Sequence, residues 1–597
     1  MCGIVGYVGA RPARALLLRA LTRLEYRGYD SSGIGLLVAN GRGPAIARVR
    51  TLGPVAELAR SLDGHGAVAT CGIGHTRWAT HGQVSIVNAH PFVSCGGELA
   101  LCLNGIIENY AELRAQLRRE GHRFESETDA EVVCHLLEQH YQGELAAAAE
   151  ATVRRLVGHF AFVCCHRDHP QLLVGSRRDC PLVVGRVEDG TFLASSATAF
   201  RSETSQIQQV ENDEIVVAGP ADVAFYAGGC RRHRPSVRAD WDDELSDRGT
   251  YETLMLKEIH DQPNALRATM QRLPEPLLLR PLTPRRVVLV ACGTAYHAAL
   301  VGRDLIEAWA GIPCQAEIAS EWRYRPLHEA DRTLVVGISQ SGETADTLAA
   351  LRHARALGCE TLAISNVPGS QITREVDTTI LTSCGLEAAV AATKTFSSQV
   401  LVTASLALAL AGPTAATDRG GARAALRQLP AQFECFLAGE HPLDELAERY
   451  AEAPYFFFLG RGPGLAAALE GALKLREVAY IPCEAYPAGE MKHGPIALIS
   501  DGTPVIVIAS GGESYATLLA NIEEVRARGG RVIAVGTDDD EKLQHLVDSV
   551  IYVPRSHPLL QPLLDTLPLQ LLAHHIARLR GLDPDRPRNL AKTVTVE

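Results

Sequence analysis

The sequence predicts a multidomain protein in which an α+β layered domain precedes two tandem, doubly wound α/β domains. Three observations support this class. At 597 residues, the chain is long enough for about four domains of ordinary size. Its first part contains runs of short apolar segments with few helical patterns. Its second part alternates strands with helices, and this alternation occurs twice.

Composition and charge exclude several classes of protein. Hydrophobic residues make up 46% of the chain and charged residues 21%, the balance of a globular protein. The net charge of −11 gives no general attraction to nucleic acid or acidic lipid. The longest apolar run, Val400–Ala411, is shorter than the roughly 20 residues of a membrane span and indicates a buried helix.

The cysteines and the N-terminus indicate the compartment. The chain has 15 scattered cysteines without a C-x-x-C pair, which is typical of free thiols rather than of disulfides or a zinc site. No basic stretch followed by an apolar segment opens the sequence. We therefore expect a cytoplasmic protein with no membrane or nucleic-acid partner.

The stretch 230–250 divides the chain by composition. Basic residues within 231–234 give way to acidic residues within 240–244, with few apolar residues at any period. We interpret the stretch as a linker, although an exposed loop inside one domain would have the same composition. Before it, apolar segments and two helical patterns, Pro12–Leu24 and Asp129–His140, indicate an α+β domain.

A repeated order of strands and turns follows this stretch. Four pairs of segments recur at an offset of about 170 residues. The pairs are Arg286–Ala291 with Tyr455–Leu459, Leu334–Ile338 with Val505–Ala509, Thr361–Ile364 with Arg531–Val535, and Thr378–Leu381 with Ser549–Val553. We predict an internal duplication of a doubly wound unit, with ligands where strands end and helices begin.

Cys2 is a candidate nucleophile. Removal of Met1 would leave its α-amine beside its thiol, and an amine with an ordinary pKa of about 7.7–8.0 can serve as the general base. A cysteine also occurs there by chance, so the argument depends on the neighbouring sequence. Asn104 and Gly105 follow an apolar strand and offer an amide and a backbone N–H to an oxyanion. Asp129 would either cap a helix or pair with a substrate ammonium.

Two histidines near these residues do not form a metal pattern. His75 and His81 are six residues apart, without a carboxylate or thiolate close by in the sequence. We therefore predict no metal at this site.

A polar turn in the first repeat is a candidate phosphate site. Ser339-Gln340-Ser341-Gly342-Glu343-Thr344 lies between a predicted strand and a predicted helix. Hydroxyls and free N–H groups at such a point bind phosphate, although a simple helix cap uses the same residue types. Residues 460–464 lack the dinucleotide-binding spacing, and no ATP-binding loop occurs.

Three charged residues of the second repeat share one face of a helical pattern. Glu470, Lys474 and Glu477 lie at spacings of four and three, between apolar neighbours. They would form either an exposed ladder of ion pairs or a buried acid–base cluster. The apolar flanks favour the cluster.

Several long motifs resemble one known family. They are Met-Cys-Gly-Ile-Val-Gly at the N-terminus, Leu-Glu-Tyr-Arg-Gly-Tyr-Asp-Ser at 24–31, His-Thr-Arg-Trp-Ala-Thr-His-Gly at 75–82 and Ser-Glu-Thr-Asp at 126–129. The similarity continues through both repeats to Pro-Arg-Asn-Leu-Ala-Lys at 587–592 and the final Val-Thr-Val-Glu. The chain is similar to the glutamine–fructose-6-phosphate aminotransferases (isomerizing).

The resemblance implies a domain plan and a reaction. A glutamine amidotransferase domain of the N-terminal-nucleophile type, with αββα layers, would cover 2–229. After the 230–250 linker, two phosphosugar-isomerase-type (SIS) domains would cover 251–430 and 431–597, the second with a catalytic C-terminal tail. The family makes glucosamine 6-phosphate and glutamate from fructose 6-phosphate and glutamine, the first step of amino-sugar synthesis, without a metal or organic cofactor.

For the glutaminase half, the resemblance implies a nucleophile, an oxyanion hole and a glutamine pocket. Cys2 would attack the glutamine amide, and Asn104 and Gly105 would bind the oxyanion. The pocket residues would be Arg77 on the α-carboxylate, Asp129 on the α-ammonium, Trp78 as a gate for ammonia, and Arg27, Thr80 and His81 around the substrate.

For the sugar half, the resemblance implies a binding set and three catalytic residues. The binding set would be Thr294, Ser339, Gln340, Ser341, Thr344, Val390, Glu470, Lys474 and Ala591. Glu477 would move a proton between C1 and C2 of the sugar, and Lys592 would form a Schiff base with the C2 carbonyl. In a homodimer, His493 would be contributed by the neighbouring subunit and would assist ring opening.

Two positions depart from the family pattern. Ala295 and Ala392 stand where the family has serine. Each missing hydroxyl would cost about 0.5–1.5 kcal/mol of sugar-phosphate binding, or would adapt the pocket to a different ketose phosphate.

Two other functions stay open on the residues alone. One is a sugar-phosphate-binding regulatory module fused to a glutaminase-like domain, against which the joint presence of Glu477, His493 and Lys592 argues. The other is an amidotransferase acting on a phosphoribosyl pyrophosphate. The tandem phosphosugar domains, without a pyrophosphate-and-magnesium site, argue against that one.

Overall fold

A computed structural model describes residues 2–40, 43–63, 69–238, 248–275, 277, 282–411, 418–538 and 540–595. Contacts divide the chain into two compact units. The first comprises Met1–Trp241 with Thr593–Glu597, and the second comprises Asp242–Lys592.

The first unit is built on two antiparallel sheets. Its strands are β1 Gly3–Gly9, β2 Ser31–Asn40, β3 Gly43–Leu52, β4 Cys71–Arg77, β5 Phe92–Val93, β6 Leu99–Ile107, β7 Gly158–His166, β8 Leu173–Arg178, β9 Val183–Val187, β10 Gly190–Ala194, β11 Gln206–Gln209, β12 Ile215–Ala218, β13 Val223–Ala227, β14 Cys230–Arg232 and β15 Val237–Arg238. One sheet has the order β15-β11-β9-β10-β1-β4-β2-β3, and the other β14-β13-β12-β8-β7-β6-β5.

Helices cover the outer faces of both sheets. They are α1 Ala13–Leu24, α2 Val55–Ser61, α3 Tyr110–Arg119, α4 Ala130–His140 and α5 Leu145–Val153, with short 3₁₀ turns at Glu25–Arg27 and Ala197–Phe200. The inner faces meet in a core that includes Ile4, Ile73, Cys102 and Val163. The order helix, sheet, sheet, helix is the predicted αββα arrangement, which is therefore confirmed.

The second unit contains two five-stranded parallel sheets with matching topology. Their strands are β16 Arg286–Ala291, β17 Cys314–Ile318, β18 Thr333–Ser339, β19 Glu360–Ser365, β20 Thr378–Leu381, β21 Phe456–Gly460, β22 Cys483–Pro487, β23 Pro504–Ile508, β24 Arg531–Thr537 and β25 Ser549–Val553. The orders are β17-β16-β18-β19-β20 and β22-β21-β23-β24-β25. The predicted duplication is confirmed.

Helices surround these sheets. They are α6 Leu254–His260, α7 Gln262–Arg272, α8 Thr294–Ala310, α9 Ala319–Trp322, α10 Ala345–Ala356, α11 Gln371–Glu375, α12 Lys394–Leu410, α13 Arg419–Leu437, α14 Leu443–Tyr450, α15 Gly464–Ala479, α16 Tyr515–Arg526, α17 Leu543–Leu546 and α18 Gln561–Leu579. Three 3₁₀ turns lie at Ala330–Arg332, Glu490–His493 and Pro495–Leu498.

The apolar run at 400–411 belongs to α12, which is buried along almost its whole length, as predicted. Among the described residues, no helix is both long and apolar enough to cross a membrane.

The structure differs from the sequence-based segmentation at three places. β17 and β22 were not predicted, because each is an edge strand with partly exposed polar residues. The predicted linker contains two short, exposed strands, β14 and β15, while its residues 239–247 lie outside the described part. The boundary drawn at 430/431 falls inside α13, which continues through Pro430.

Candidate functional site

Cys2 lies just before β1, beside the end of β4. The backbone N–H of Trp78 donates to its Sγ at 3.2 Å. Burial raises the pKa of the Cys2 thiol, while the Trp78 N–H and the Arg77 guanidinium oppose the rise. The thiol in this position therefore needs a base to become a nucleophile.

Asn104 on β6 is fixed from two sides. Its Nδ2 donates to the Cys2 carbonyl oxygen at 2.9 Å, and its Oδ1 lies 3.1 Å from Nε2 of His75. Burial lowers the pKa of His75 to about 3, so the ring is neutral and its Nε2–H donates to Asn104. An amide nitrogen carries two hydrogens, and the second Nδ2–H remains as a donor for an oxyanion.

Gly105 cannot be replaced without moving the backbone. Its φ is +106°, and a Cβ at this position would lie 2.0 Å from the carbonyl oxygen of His159. The residue therefore brings its own backbone close to β7, its partner strand, at a point beside Cys2.

A small cavity of about 20 Å³ opens beside the thiol. Its lining includes Cys2, Arg77, Trp78, Thr80, His81, Gly105 and Asp129. Asp129 stands at the start of α4, but its carboxylate does not cap the helix; Oδ2 instead accepts the Ile107 N–H at 2.7 Å. Burial raises the pKa of Asp129, which a substrate ammonium would counter.

Arg77 also holds the loop that follows it. Its guanidinium donates to the carbonyl oxygens of His81 at 2.6 Å, Gly82 at 3.2 Å and Gln83 at 3.2 Å. The same side chain lines the cavity. An anion that binds Arg77 there would therefore also affect the conformation of this loop.

The polar turn of the first repeat is organised by its own hydroxyls. Ser339 Oγ lies 2.9 Å from Thr344 Oγ1 and accepts the Gly342 N–H at 3.1 Å. Thr344 precedes α10 without making a side-chain cap. The simple capping interpretation therefore does not describe Thr344, and the turn keeps its hydroxyls close together at the end of β18.

A buried polar cluster joins the two repeats. From α15, Lys474 Nζ lies 2.6 Å from Glu477 Oε2, 3.4 Å from Glu470 Oε1 and 3.0 Å from Thr294 Oγ1 of α8. His297, also on α8, places Nδ1 2.7 Å from Glu470 Oε2. Glu470 and Lys474 are fully buried, so the exposed ion-pair ladder is excluded.

Charge balance holds this cluster in the interior. Burial alone would lower the pKa of Lys474, but the carboxylates of Glu470 and Glu477 outweigh it and raise that pKa above its ordinary value. Glu477 also lines a cavity of about 340 Å³ together with Arg588, Asn589 and Leu590 of the tail. The tail thus borders the same cavity as the proposed proton carrier.

Lys592 is held by a carboxylate that the sequence did not single out. Its Nζ donates to Glu387 Oε2, and both side chains are almost wholly buried. Glu387 also accepts the Thr393 N–H at 2.8 Å and the Thr395 hydroxyl at 2.7 Å. Burial opposes its charge, but Lys592 and these donors prevail and lower the pKa of Glu387 to about 2.

Comparisons with known proteins agree with this arrangement. The model of the SIS domain matches residues 283–409 and 450–579, and that of a glutamine amidotransferase domain matches 75–202. The chain is 44% identical to glutamine–fructose-6-phosphate aminotransferases [isomerizing] of Thermus thermophilus and Aquifex aeolicus, with all of both chains covered in each case. The chain belongs to the glutamine–fructose-6-phosphate aminotransferase (isomerizing) family.

A solved structure agrees with the family assignment. The C-terminal domain of glucosamine-fructose-6-phosphate aminotransferase from Francisella tularensis is 35% identical, with a TM-score of 0.52. It covers 57% of this chain and 100% of its own length.

Several residues predicted from the family motifs lie outside these contacts. His493 is exposed on its 3₁₀ turn, and Arg27 is buried in the turn that follows α1. Gln340, Ser341, Val390 and Ala591 are half-buried, and the Val390 N–H donates to the Asp585 carbonyl oxygen at 3.1 Å.

Other polar residues of the sites were missed at the sequence level. His75 was considered only as a metal ligand, whereas it orients Asn104. Its ring stacks on that of His90, with centroids 3.9 Å apart. His297 could have been found from its position three residues after Thr294 on a predicted helix, whereas Glu387 lies in a segment without a helix or strand.

Proposed function

We propose that this chain converts fructose 6-phosphate and glutamine to glucosamine 6-phosphate and glutamate. The observation that carries the proposal is the burial of the Lys592 amine against Glu387. Burying the Lys592 ammonium costs desolvation free energy. A role for its amine in binding a substrate carbonyl would account for this burial. The names of full-length relatives support the same reaction.

In the glutaminase half, Cys2 Sγ would attack the side-chain amide carbon of glutamine. Because its pKa is raised, the thiol would pass its proton to a base, for which the α-amine of Cys2 is suited after removal of Met1. The Asn104 amide and the Gly105 N–H would stabilise the oxyanion. Collapse of this intermediate would release ammonia, and water would then hydrolyse the thioester to glutamate.

Asp129 and Arg77 would fix the two ends of the amino acid. A buried carboxylate suits the α-ammonium, and a planar guanidinium suits the α-carboxylate. Arg27, Trp78, Thr80 and His81 would complete the pocket, with Trp78 controlling the passage of ammonia.

In the sugar half, Ser339, Gln340, Ser341 and Thr344 would hold the phosphate, with Val390 and Ala591 beside the sugar. Lys592 would condense with the C2 carbonyl and release water, and ammonia would then displace the lysine amine from C2. Glu477 would carry the proton between C1 and C2 of the resulting imine. Lys474, Glu470 and Thr294 would keep the Glu477 carboxylate in place through the contacts described above. No metal or organic cofactor is needed, because the sugar carbonyl is the electrophile.

The proposal includes a homodimer in which His493, which is exposed in the single chain, serves the partner's sugar site. We keep the three domains, 2–229, 251–430 and 431–597, as part of the proposal, with the last boundary moved from 430/431 to the end of α13 at Leu437. A cytoplasmic location is also part of the proposal.

One assay tests the reaction. Purified protein is incubated with glutamine and fructose 6-phosphate, and hexosamine phosphate and glutamate are quantified together. Equimolar products support the proposal. Glutamate without hexosamine phosphate would instead indicate a glutaminase fused to a regulatory sugar-binding module.

A further inference from the structure

Four side chains with metal-binding atoms converge in the first unit, away from the cavity beside Cys2. Cys95 lies in the turn between β5 and β6, His122 follows α3, and His135 and Glu138 lie on α4. One ligand atom from each of them lies within 4.8 Å of all the others. None of these residues has a part in the proposed reaction.

The separations are close to those of a tetrahedral site. Cys95 Sγ lies 3.8 Å from His122 Nδ1 and 3.6 Å from His135 Nδ1. Zinc bonds of about 2.3 Å to sulfur and about 2.1 Å to nitrogen place such atoms about 3.6 Å apart at a tetrahedral angle. Glu138 Oε2 lies 3.0 Å from His122 Nδ1 and 3.1 Å from His135 Nδ1. The four atoms therefore need only small shifts to surround one ion.

Without an ion the four side chains are hydrogen-bonded to one another, and neighbouring groups orient them as ligands. The Arg123 N–H donates to Cys95 Sγ at 3.3 Å and fixes the position of the sulfur. The Gly96 N–H donates to Glu138 Oε1 at 3.2 Å and leaves Oε2 for the ion. Nε2 of His135 is buried without a hydrogen bond, and the Glu131 carboxylate lies 3.7 Å from it, as an outer carboxylate does behind a metal-bound imidazole.

We propose that Cys95, His122, His135 and Glu138 form a structural zinc site. One sulfur, two nitrogens and one carboxylate oxygen complete a tetrahedral shell, and a closed shell leaves no position for substrate. Zinc binding would release the thiol proton of Cys95 and select the Nε2–H form of both imidazoles. The scattered cysteines favoured free thiols over a zinc site, but their spacing does not reveal this cluster, because it is assembled from three separate segments.

The site would fix the segment that carries Asp129. His122 precedes this segment and His135 follows it, so an ion held by both would tie its two ends to the β5–β6 turn. Thr128 and Asp129 of the same segment line the cavity beside Cys2. The ion would thereby stabilise one wall of that cavity without touching substrate.

Metal binding is measured on the full-length, untagged protein. Zinc is removed with a chelator and restored in competition with a chromophoric chelator, and Co²⁺ is added in a parallel sample. We expect about one tightly bound equivalent, and a thiolate-to-Co²⁺ charge-transfer band with the intense visible bands of tetrahedral cobalt.

Cys95→Ser provides the decisive variant, with Cys230→Ser as the matched control, since Cys230 is an exposed thiol of the same unit outside the cluster. Cys95→Ser should lose the charge-transfer band and bind zinc at least about 100-fold more weakly. Cys230→Ser should behave as wild type. The proposal is overturned if wild-type protein holds no equivalent of zinc, if its Co²⁺ spectrum lacks the thiolate band, or if both variants bind zinc equally. These readouts are independent of the reaction proposed above.

Discussion

Glu258 and Glu387 both bind the short segment that begins at Glu387, and at neutral pH Glu258 is mostly neutral whereas Glu387 is negatively charged. Glu258 Oε1 accepts the N–H groups of Ala388 and Ala389, at 2.6 Å and 3.2 Å. Glu387 carries the Lys592 ammonium and has a pKa of about 2. Burial, reinforced by the charge of Glu387, raises the pKa of Glu258 to about 8, so Glu258 is mostly protonated at neutral pH.

Glu258→Gln should therefore be tolerated. Glutamine imitates the neutral acid, and Oε2 of Glu258 has no hydrogen-bond partner that the change would remove. The folded-state pKa of about 8 lies above the ordinary 4.5, so the wild type loses stability as the pH rises from about 4.5 to about 8. The variant escapes this loss, and the difference in melting temperature between variant and wild type should grow from acidic to mildly alkaline pH. A difference that does not change with pH would contradict the assignment.

Glu387→Gln should have the opposite outcome. It leaves the Lys592 ammonium buried without its counter-charge, at a cost of about 3–5 kcal/mol at neutral pH. Because the folded-state pKa of Glu387 is lowered from 4.5 to about 2, this cost should shrink as the pH falls through that interval. Glu434→Gln is the matched control: it removes an exposed ion pair with Arg267 and should leave the unfolding temperature nearly unchanged. Calorimetric unfolding of the three proteins gives the comparison.

Cys2→Ala should abolish the use of glutamine and leave synthesis from concentrated ammonia at high pH partly intact, because the two chemistries use different side chains. Hexosamine phosphate is measured with either nitrogen donor. Loss of both activities would contradict this division. Mass spectrometry of the wild type should show that Met1 is absent, and its retention would argue against the α-amine as base.

Asn104→Ala should lower kcat for glutamine hydrolysis by about 10²–10³-fold, the effect of losing one oxyanion donor. His75→Ala should lower kcat by a smaller factor, because it frees the Asn104 amide to rotate without removing it. Since the pKa of His75 is about 3, its ionisation should not appear in the pH profile of the wild type between about pH 5 and about pH 8. Steady-state hydrolysis by the three proteins across this range tests both statements. A His75→Ala variant with wild-type kcat would show that His75 does not help to position Asn104.

Lys592→Arg should nearly eliminate glucosamine 6-phosphate formation while basal glutamine hydrolysis survives. Arginine keeps the positive charge beside Glu387 but cannot form an imine. Borohydride added with fructose 6-phosphate should trap a covalent adduct on wild type, located by peptide mass mapping, and none on the variant. Product formation at the normal rate by the variant would show that the tail amine is not catalytic.

The fold was predictable because its signals are local and repeated. After a polar first residue, the strands β16 and β18 are buried, mainly apolar runs that end at small or polar residues, and β21 and β23 are buried apolar runs of the same kind. The edge strands β17 and β22 were missed because their residues are partly exposed and less apolar.

The candidate sites were predictable where a motif keeps its chemistry within a few residues. The stretches around Cys2, Asn104 and Ser339 are of this kind. Glu387, Glu258 and the Cys95 cluster are assembled from distant segments, and no spacing along the chain reveals such a contact. The Asn104–His75 pair lies between these cases, since both residues were noted and only the fold joins their side chains.

The polar cluster of the second unit draws Thr294 and His297 from one repeat and Glu470, Lys474 and Glu477 from the other. Each copy thus contributes only part of the cluster. A gene fragment encoding the second copy by itself would keep Glu470, Lys474 and Glu477 but lose the Thr294 and His297 side chains that contact Glu470 and Lys474. A fragment encoding the first copy would lack all three charged residues of α15.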